Sequence, residues 1–361
     1  MKLTDFKVYY FRLPLTQPLW LRGKKIVFRE GWALCLIGDS GAEGWGNIMP
    51  LPGVSSENLE IAKKQLLDFR SMWKKFGEPT NSQAFRKTLL LIFNSISLAP
   101  SVRCGLEMAL WNWAAASSQQ SLSQWLSPNP SSKVGVNGLL HGPLEKISRE
   151  AQEMVFQGYK TVKLKVGNPD VEEDIVRTRK VQEIIGNNVT LRLDANRSWN
   201  RKEATHFAKA VSSCKIDYIE EPFSNPEEFT LFAKETSLPV ALDETLFEPG
   251  RRFELEGIKA LILKPPFLGG LEQTFQWTEK ARRHHIVPVI SCAFESGIGV
   301  RTLAHMGSVL VGQEIPLGLD PYRWLEQDLL EPRIVIQNGE INIGSLNRCK
   351  INFSRLEEIH D

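Results

Sequence analysis

Two runs in the first fifty residues, Lys7–Leu13 and Gly31–Ile37, are dense in aromatic and aliphatic side chains and are parted by turn-like segments, which predicts strands and turns over residues 1–50. From 56 to 76 and from 82 to 125 the texture is helical: Leu89–Phe93 is a dense apolar block, and Gly105–Ala116 is the best helix candidate. Ser127–Lys133 (SPNPSSK) clusters Pro, Asn and Ser and reads as a linker. Beyond it short strand-like runs recur: Val134–Asn137, Thr161–Val166, Thr190–Asp194, Tyr218–Glu220, Val240–Asp243, Ala260–Lys264 and Val287–Ser291. Helical stretches near 145–157, 170–185, 201–213, 226–236, 248–256, 270–284 and 298–310 fall between and after them. This alternation predicts a parallel sheet, and its number of units favours a closed barrel over an open doubly wound sheet. In the tail, Arg333–Ile343 reads as a hairpin about Asn338-Gly339.

Composition narrows the class. The chain has 361 residues, which suits two domains or one large barrel with additions. Its 44 Lys+Arg against 42 Asp+Glu argue against a dedicated nucleic-acid binder. Five cysteines (Cys35, Cys104, Cys214, Cys292, Cys349) lie far apart without a CxxC, which fits a reducing compartment better than a disulfide framework or a zinc site. No apolar signal core opens the chain and no run is long enough to span a bilayer, so a soluble, cytoplasmic protein with no membrane partner is expected. No GxGxxG or GxxxxGK[ST] follows a strand.

Candidate chemistry lies where polar residues fall on the strands. Lys163 and Lys165 alternate with apolar residues in TVKLKV and so share a face. LRLDAN, YIEEP, VALDET and LILKPP put Asp194, Glu220-Glu221, Asp243-Glu244 and Lys264 at strand C-termini, which form the active-site mouth of such a barrel. Any one of these acids alone is as well explained as a helix N-cap, and a lone Lys-x-Lys as a solvated edge. Together, three acids on adjacent strand ends repel one another, and a divalent cation resolves that repulsion. All-oxygen ligands suit Mg²⁺ rather than zinc. A lysine base near neutral pH needs a neighbouring ammonium to favour its neutral form, and Lys163 stands on the same face as Lys165. The layout suits removal of a proton α to a carboxylate, with the growing charge offset by the metal.

The segments Lys163-x-Lys165, Asp194-Ala-Asn, Glu220-Glu-Pro, Asp243-Glu-Thr and Lys264-Pro resemble the muconate-lactonizing subgroup of the enolase superfamily. Gly44–Ser55 (GWGNIMPLPGVS), Pro100–Leu110 (PSVRCGLEMAL) and Ser291–Gly299 (SCAFESGIG) resemble its o-succinylbenzoate synthase branch, and Val136–Gly142 (VNGLLHG) is compatible with it. The resemblance implies an α/β fold: a (β/α)7β TIM-like barrel over 131–324, covered by an α+β capping domain of residues 1–130 completed by 325–361. It implies Asp194, Glu220 and Asp243 as ligands of Mg²⁺, with Mn²⁺ able to substitute; Glu220 is chosen over Glu221 because strand neighbours face opposite ways. It implies three catalytic lysines: Lys165 as base and then acid, Lys264 opposite it, and Lys163 beside it. The implied reaction is syn dehydration of 2-succinyl-6-hydroxy-2,4-cyclohexadiene-1-carboxylate to 2-succinylbenzoate in menaquinone or phylloquinone biosynthesis. The partner is then a small-molecule carboxylate, with Ser291 and Gly53 as expected substrate contacts. N-acylamino acid racemase or dipeptide epimerase uses the same lysine pair and is the first alternative; muconate cycloisomerase is the second, and a catalytically silent scaffold the third.

Asn47 departs from the branch, which often has Glu after GWG, and this touches substrate contacts rather than the chemistry. Other residues have plainer readings. His284-His285 ends a helix, where its charge suits the dipole. Cys292 reads as packing, and Ser296 equally as an N-cap or a substrate contact. Trp20 is expected in a flexible loop and could cover an aromatic substrate, though core or surface packing is its default reading, with Lys24-Lys25 solvated beside it.

Overall fold

The computed structural model describes residues 2–21, 23–72, 81–250 and 252–359. Strand β1 (Leu3–Leu21) and strand β2 (Lys24–Gly38) extend well beyond the apolar runs that announce them and form one long hairpin. Its ladder slips between Pro14 and Leu19, around Pro14 and Pro18, which have no N–H to donate. Leu15, freed there, bridges Leu325 instead. Trp20 is therefore not in a loop, as expected from sequence, but in β1, paired with Lys25. Strand β3 (Glu43–Ile48) completes the antiparallel sheet on one side, and the tail strand Glu357–Glu358 joins β1 on the other.

Helices α1 (Leu59–Arg70), α2 (Ser82–Asn94), α3 (Pro100–Ser117) and α4 (Leu122–Leu126) follow. Residues 73–76, the end of the helical stretch expected over 56–76, lie outside the described residues, as does His360. α3 lies directly on β3, and the glycines of GWG explain how. A Cβ on Gly46 would stand 2.0 Å from the Gly105 carbonyl oxygen, and one on Gly105 would stand 2.3 Å from Ile48.

The expected strand 134–137 is not a barrel strand: it overlaps β4 (Lys133–Gly135), and the barrel begins just after it. β4 pairs with the tail strand Glu340–Asn342, and the first barrel strand is β5 (Gly138–Leu140). It is followed by β6 (Thr161–Lys165), β7 (Thr190–Asp194), β8 (Ile216–Glu220), β9 (Val240–Leu242), β10 (Ile258–Leu263) and β11 (Val287–Ile290), parallel and adjacent in chain order. The eighth position is filled by a short closing segment: Leu317 bonds with Gly135 and Asn137, and Gly318 with Ile290 and Cys292, at 2.8–3.0 Å. Tyr218, Ala241, Ala260, Ile262 and Val289 form a small cluster within the sheet, while residues such as Leu164, Leu193 and Ile219 pack with the outer helices. The result is a (β/α)7β barrel with an α+β cap.

The outer helices are α5 (Leu144–Phe156), α6 (Val171–Ile185), α7 (Arg201–Ala210), α8 (Phe229–Thr236), α9 (Pro265–Leu268), α10 (Leu271–Arg283) and α11 (Gly297–Leu310). The helix expected over 248–256 is absent among the described residues. Pro249 removes a donor and Gly250 takes φ +74°, and among the described residues the crossover holds a single 3-10 turn, Glu244–Leu246. The Asn338-Gly339 turn forms, with both residues at positive φ, but the hairpin about it stops at one rung, Gln337–Glu340. The chain beyond it pairs with β4, which buries Ile341 completely. Among the described residues no helix is long and apolar enough to cross a membrane.

Candidate active site

Parallel register sets the site. Lys165, Asp194 and Glu220 stand level on β6, β7 and β8, and Asp243 follows β9 directly. Oxygens of Asp194, Glu220 and Asp243, all buried, lie within 4.8 Å of one another. Lys163 Nζ donates to Asp194 Oδ2 at 3.1 Å and to Glu220 Oε2 at 3.0 Å, and Lys165 Nζ donates to the same Asp194 oxygen at 2.6 Å. Lys264 Nζ, at the end of β10, is paired with Asp243 Oδ2. The structure thus brings together the three lysines and three acids expected as catalytic and metal-binding groups, with Lys165 and Lys264 on different members of the acidic trio.

The electrostatics of this row are unbalanced. Burial, reinforced by the neighbouring acids, pushes the Glu220 carboxyl up to about 8 against the pull of Lys163. Burial pushes Asp243 up to about 7 against the pull of Lys264. Burial would also raise Asp194, but Lys165 and Lys163 outweigh it and hold Asp194 far below the usual range. Lys163 loses solvation, yet Glu220 and Asp194 keep it well above an ordinary amine. Asp243 Oδ1 is buried without a hydrogen-bond partner. A compact all-oxygen donor set with a free buried oxygen and two acids resisting ionisation fits a hard divalent cation.

Glu221 faces away from the trio. It accepts from the Asp243 and Thr245 amides at 2.8 and 3.0 Å and from Arg197 at 2.7 Å, and so fixes the backbone that presents Asp243. Asn196 has a part that sequence reasoning missed. Its Oδ1 accepts from Lys165, while its Nδ2 donates to Glu244 at 2.9 Å. Its signal was its place in the Asp-Ala-Asn segment.

A cavity of about 430 Å³ opens above the lysines. Trp20, Leu21, Leu51 and Val54 line it from the cap, and Lys165, Lys264, Phe267 and Phe294 from the barrel. Trp20 is 66% exposed, so its ring is available at that mouth. Cys292 lines the cavity but burial keeps its thiol protonated. Gly53, at φ +81°, lines instead a neighbouring cavity of about 550 Å³, together with Lys24 and Lys25. Ser291 turns toward the closing segment, where its hydroxyl donates to the Gly318 carbonyl at 3.2 Å. Ser296 is the N-cap residue of α11, but its side chain accepts from no helix amide; its hydroxyl donates to the side-chain oxygen of buried Asn47.

Glu295, beside this cavity wall, is buried and pushed up to about 7, chiefly by desolvation and against the pull of Arg29 and Lys264. Between the ordinary carboxylate range and pH 7 the folded chain therefore holds a proton that the unfolded chain has released, so this group's contribution is lost as pH rises through that window. Glu295→Gln imitates the protonated form. Thermal melts at pH 5, 6.5 and 8 should show the variant gaining on the wild type as pH rises; a difference independent of pH would refute this.

A capped (β/α)7β barrel with a buried acidic trio flanked by lysines is the architecture of the enolase superfamily. Residues 146–346 match the family described as Enolase C-terminal domain-like, and residues 3–113 match MenC, N-terminal domain. The o-succinylbenzoate synthase of Pasteurella multocida is 30% identical, covering 91% of this chain and 93% of that one. That of Klebsiella pneumoniae is 31% identical, covering 94% and 98%. Protein PHYLLO, chloroplastic, of Arabidopsis thaliana is 34% identical over 84% of this chain, which spans only 20% of that protein. The N-succinyl Arg/Lys racemase of Bacillus cereus superposes with a TM-score of 0.85 at 20% identity over the full length of both chains, a likeness of fold. The chain belongs to the o-succinylbenzoate synthase family of the enolase superfamily.

Proposed function

We infer that this chain is an o-succinylbenzoate synthase, a carbon–oxygen lyase that dehydrates 2-succinyl-6-hydroxy-2,4-cyclohexadiene-1-carboxylate to 2-succinylbenzoate in menaquinone or phylloquinone biosynthesis. The observation that carries the chemistry is the row Lys165–Asp194–Glu220–Asp243–Lys264, with a lysine at each end and a cavity above. In this reading Asp194, Glu220 and Asp243 hold Mg²⁺, for which Mn²⁺ can substitute. The bound cation would offset the charge that grows on the substrate carboxylate as the α-proton leaves. Lys165 Nζ takes that proton, and the C–H electron pair is delocalised into the adjacent substrate carboxylate as an enediolate, from which it moves into the ring when the hydroxyl departs. The resulting ammonium returns the proton to the hydroxyl on the same face; the C–O bond breaks, water leaves and the ring becomes aromatic. Lys264 stays an ammonium and stabilises the electron-rich ring system from its side. Lys163 balances Asp194 and Glu220. Residues 1–130 with 325–361 serve as cap and 131–324 as catalytic barrel. A cytoplasmic location accords with five unpaired cysteines.

Racemisation of N-succinyl amino acids is the second reading, because opposed lysines serve it equally well. Lys264→Arg separates the two, since guanidinium keeps the charge but does not act as a base. Direct assay should find measurable dehydration in Lys264→Arg, with any racemisation gone. A wild type that racemises fast and dehydrates negligibly would overturn the synthase reading.

A further inference from the structure

Arg29, on β2, is 1% exposed. Burial lowers its pKa to about 10, so it is still a cation at neutral pH. Among the described residues, its three hydrogen bonds all go to main-chain carbonyls. Nη2 donates to Met49 at 2.8 Å, Nη1 to Pro50 at 3.1 Å and Nε to Phe294 at 3.3 Å. Met49 and Pro50 lead into the turn whose Leu51 and Val54 line the cavity above the lysines. Phe294 lies in the loop after β11 and lines the same cavity from the barrel. It holds φ +63°, a left-handed conformation that costs a non-glycine residue energy, and its ring meets Trp324 at 5.6 Å.

An apolar side chain would fill this space without the desolvation cost of a charge. Besides its attraction for buried Glu295, what the guanidinium adds is direction: donors at fixed angles reaching two separate loops. We propose that Arg29 is a positioning residue for substrate binding, clamping the 49–54 turn of the cap to the loop holding Phe294 and so setting the shape of the cavity. The substrate's identity rests on the function inferred above. A lysine has no planar fork and would serve fewer of the three carbonyls in this geometry.

The test is dehydration kinetics on Arg29→Met and Arg29→Lys, with 2-succinylbenzoate affinity measured by tryptophan fluorescence, a readout that needs no turnover. In Arg29→Met, KM and the product Kd should rise about tenfold or more, with kcat changing much less. Arg29→Lys should fall between. The stabilisation given by Mg²⁺ should be unchanged in both. On a Phe294→Gly background, where the strained wall is already gone, Arg29→Met should have a smaller effect on affinity. A lower melting temperature with KM and product affinity at wild-type values would reduce Arg29 to a structural role and overturn the proposal. If Arg29→Met does not fold, wild-type affinity in Arg29→Lys overturns it equally. A wild type that neither dehydrates the substrate nor binds the product removes the functional reading instead, whereas loss confined to the variants bears on Arg29 alone.

Discussion

Lys165→Ala should lose about 10⁴-fold or more in kcat, because one amine acts as both base and acid and each such role contributes about 10²–10⁴-fold. The fold should survive. The Lys165 side chain is 34% exposed, and Asp194 keeps Lys163 as a partner at 3.1 Å. Melting temperature should therefore move little while turnover collapses. Lys165→Arg should be nearly as inactive, since it restores the charge beside Asp194 but provides no neutral amine. Single-turnover assays, following appearance of the aromatic product, check both. Dehydration within tenfold of wild type in either variant would remove Lys165 from the proton path.

Much of this site is legible in the chain because strand periodicity leaves little freedom. Lys163 and Lys165 must share a face, and parallel pairing then sets Lys165 level with Asp194 and Glu220. The same logic separates Glu220 from Glu221, which turns away to hold the Asp243 backbone. What sequence reading missed depends on contacts between distant segments. Trp20, expected in a loop, lies in β1, because the ladder resumes beyond Pro14 and Pro18. The expected helix over 248–256 gave Pro249-Gly250 too little weight. The eighth barrel position, where the Ser291 hydroxyl donates to Gly318, is closed by a segment so short that no local pattern announces it. Arg29 belongs to no motif; the approach of the 49–50 and 294 carbonyls is what makes it a buried hub.

Removing the metal should abolish activity, and the reason lies in the acids themselves. Without a cation, Glu220 and Asp243 are pushed up to about 8 and about 7, and one Asp243 oxygen has no partner. Lys163 sits between Asp194 and Glu220, and Lys165 and Lys264 sit at the ends, yet Glu220 and Asp243 still resist ionisation, so the trio has room for a further positive charge. Exhaustive chelation should bring dehydration to background, and Mg²⁺ or Mn²⁺ should restore it. Asp243→Asn deprives Lys264 of its carboxylate, so absolute stability is a poor readout. The difference made by the metal is the better one. A ligand at 100 times its Kd stabilises the folded state by about 2.7 kcal/mol, which a melt resolves. Mg²⁺ should raise the melting temperature of the wild type, and that gain should vanish in Asp243→Asn if affinity falls about 100-fold or more. Full turnover in chelator, or an undiminished Mg²⁺ gain in Asp243→Asn, would mean that the trio is balanced by its lysines alone.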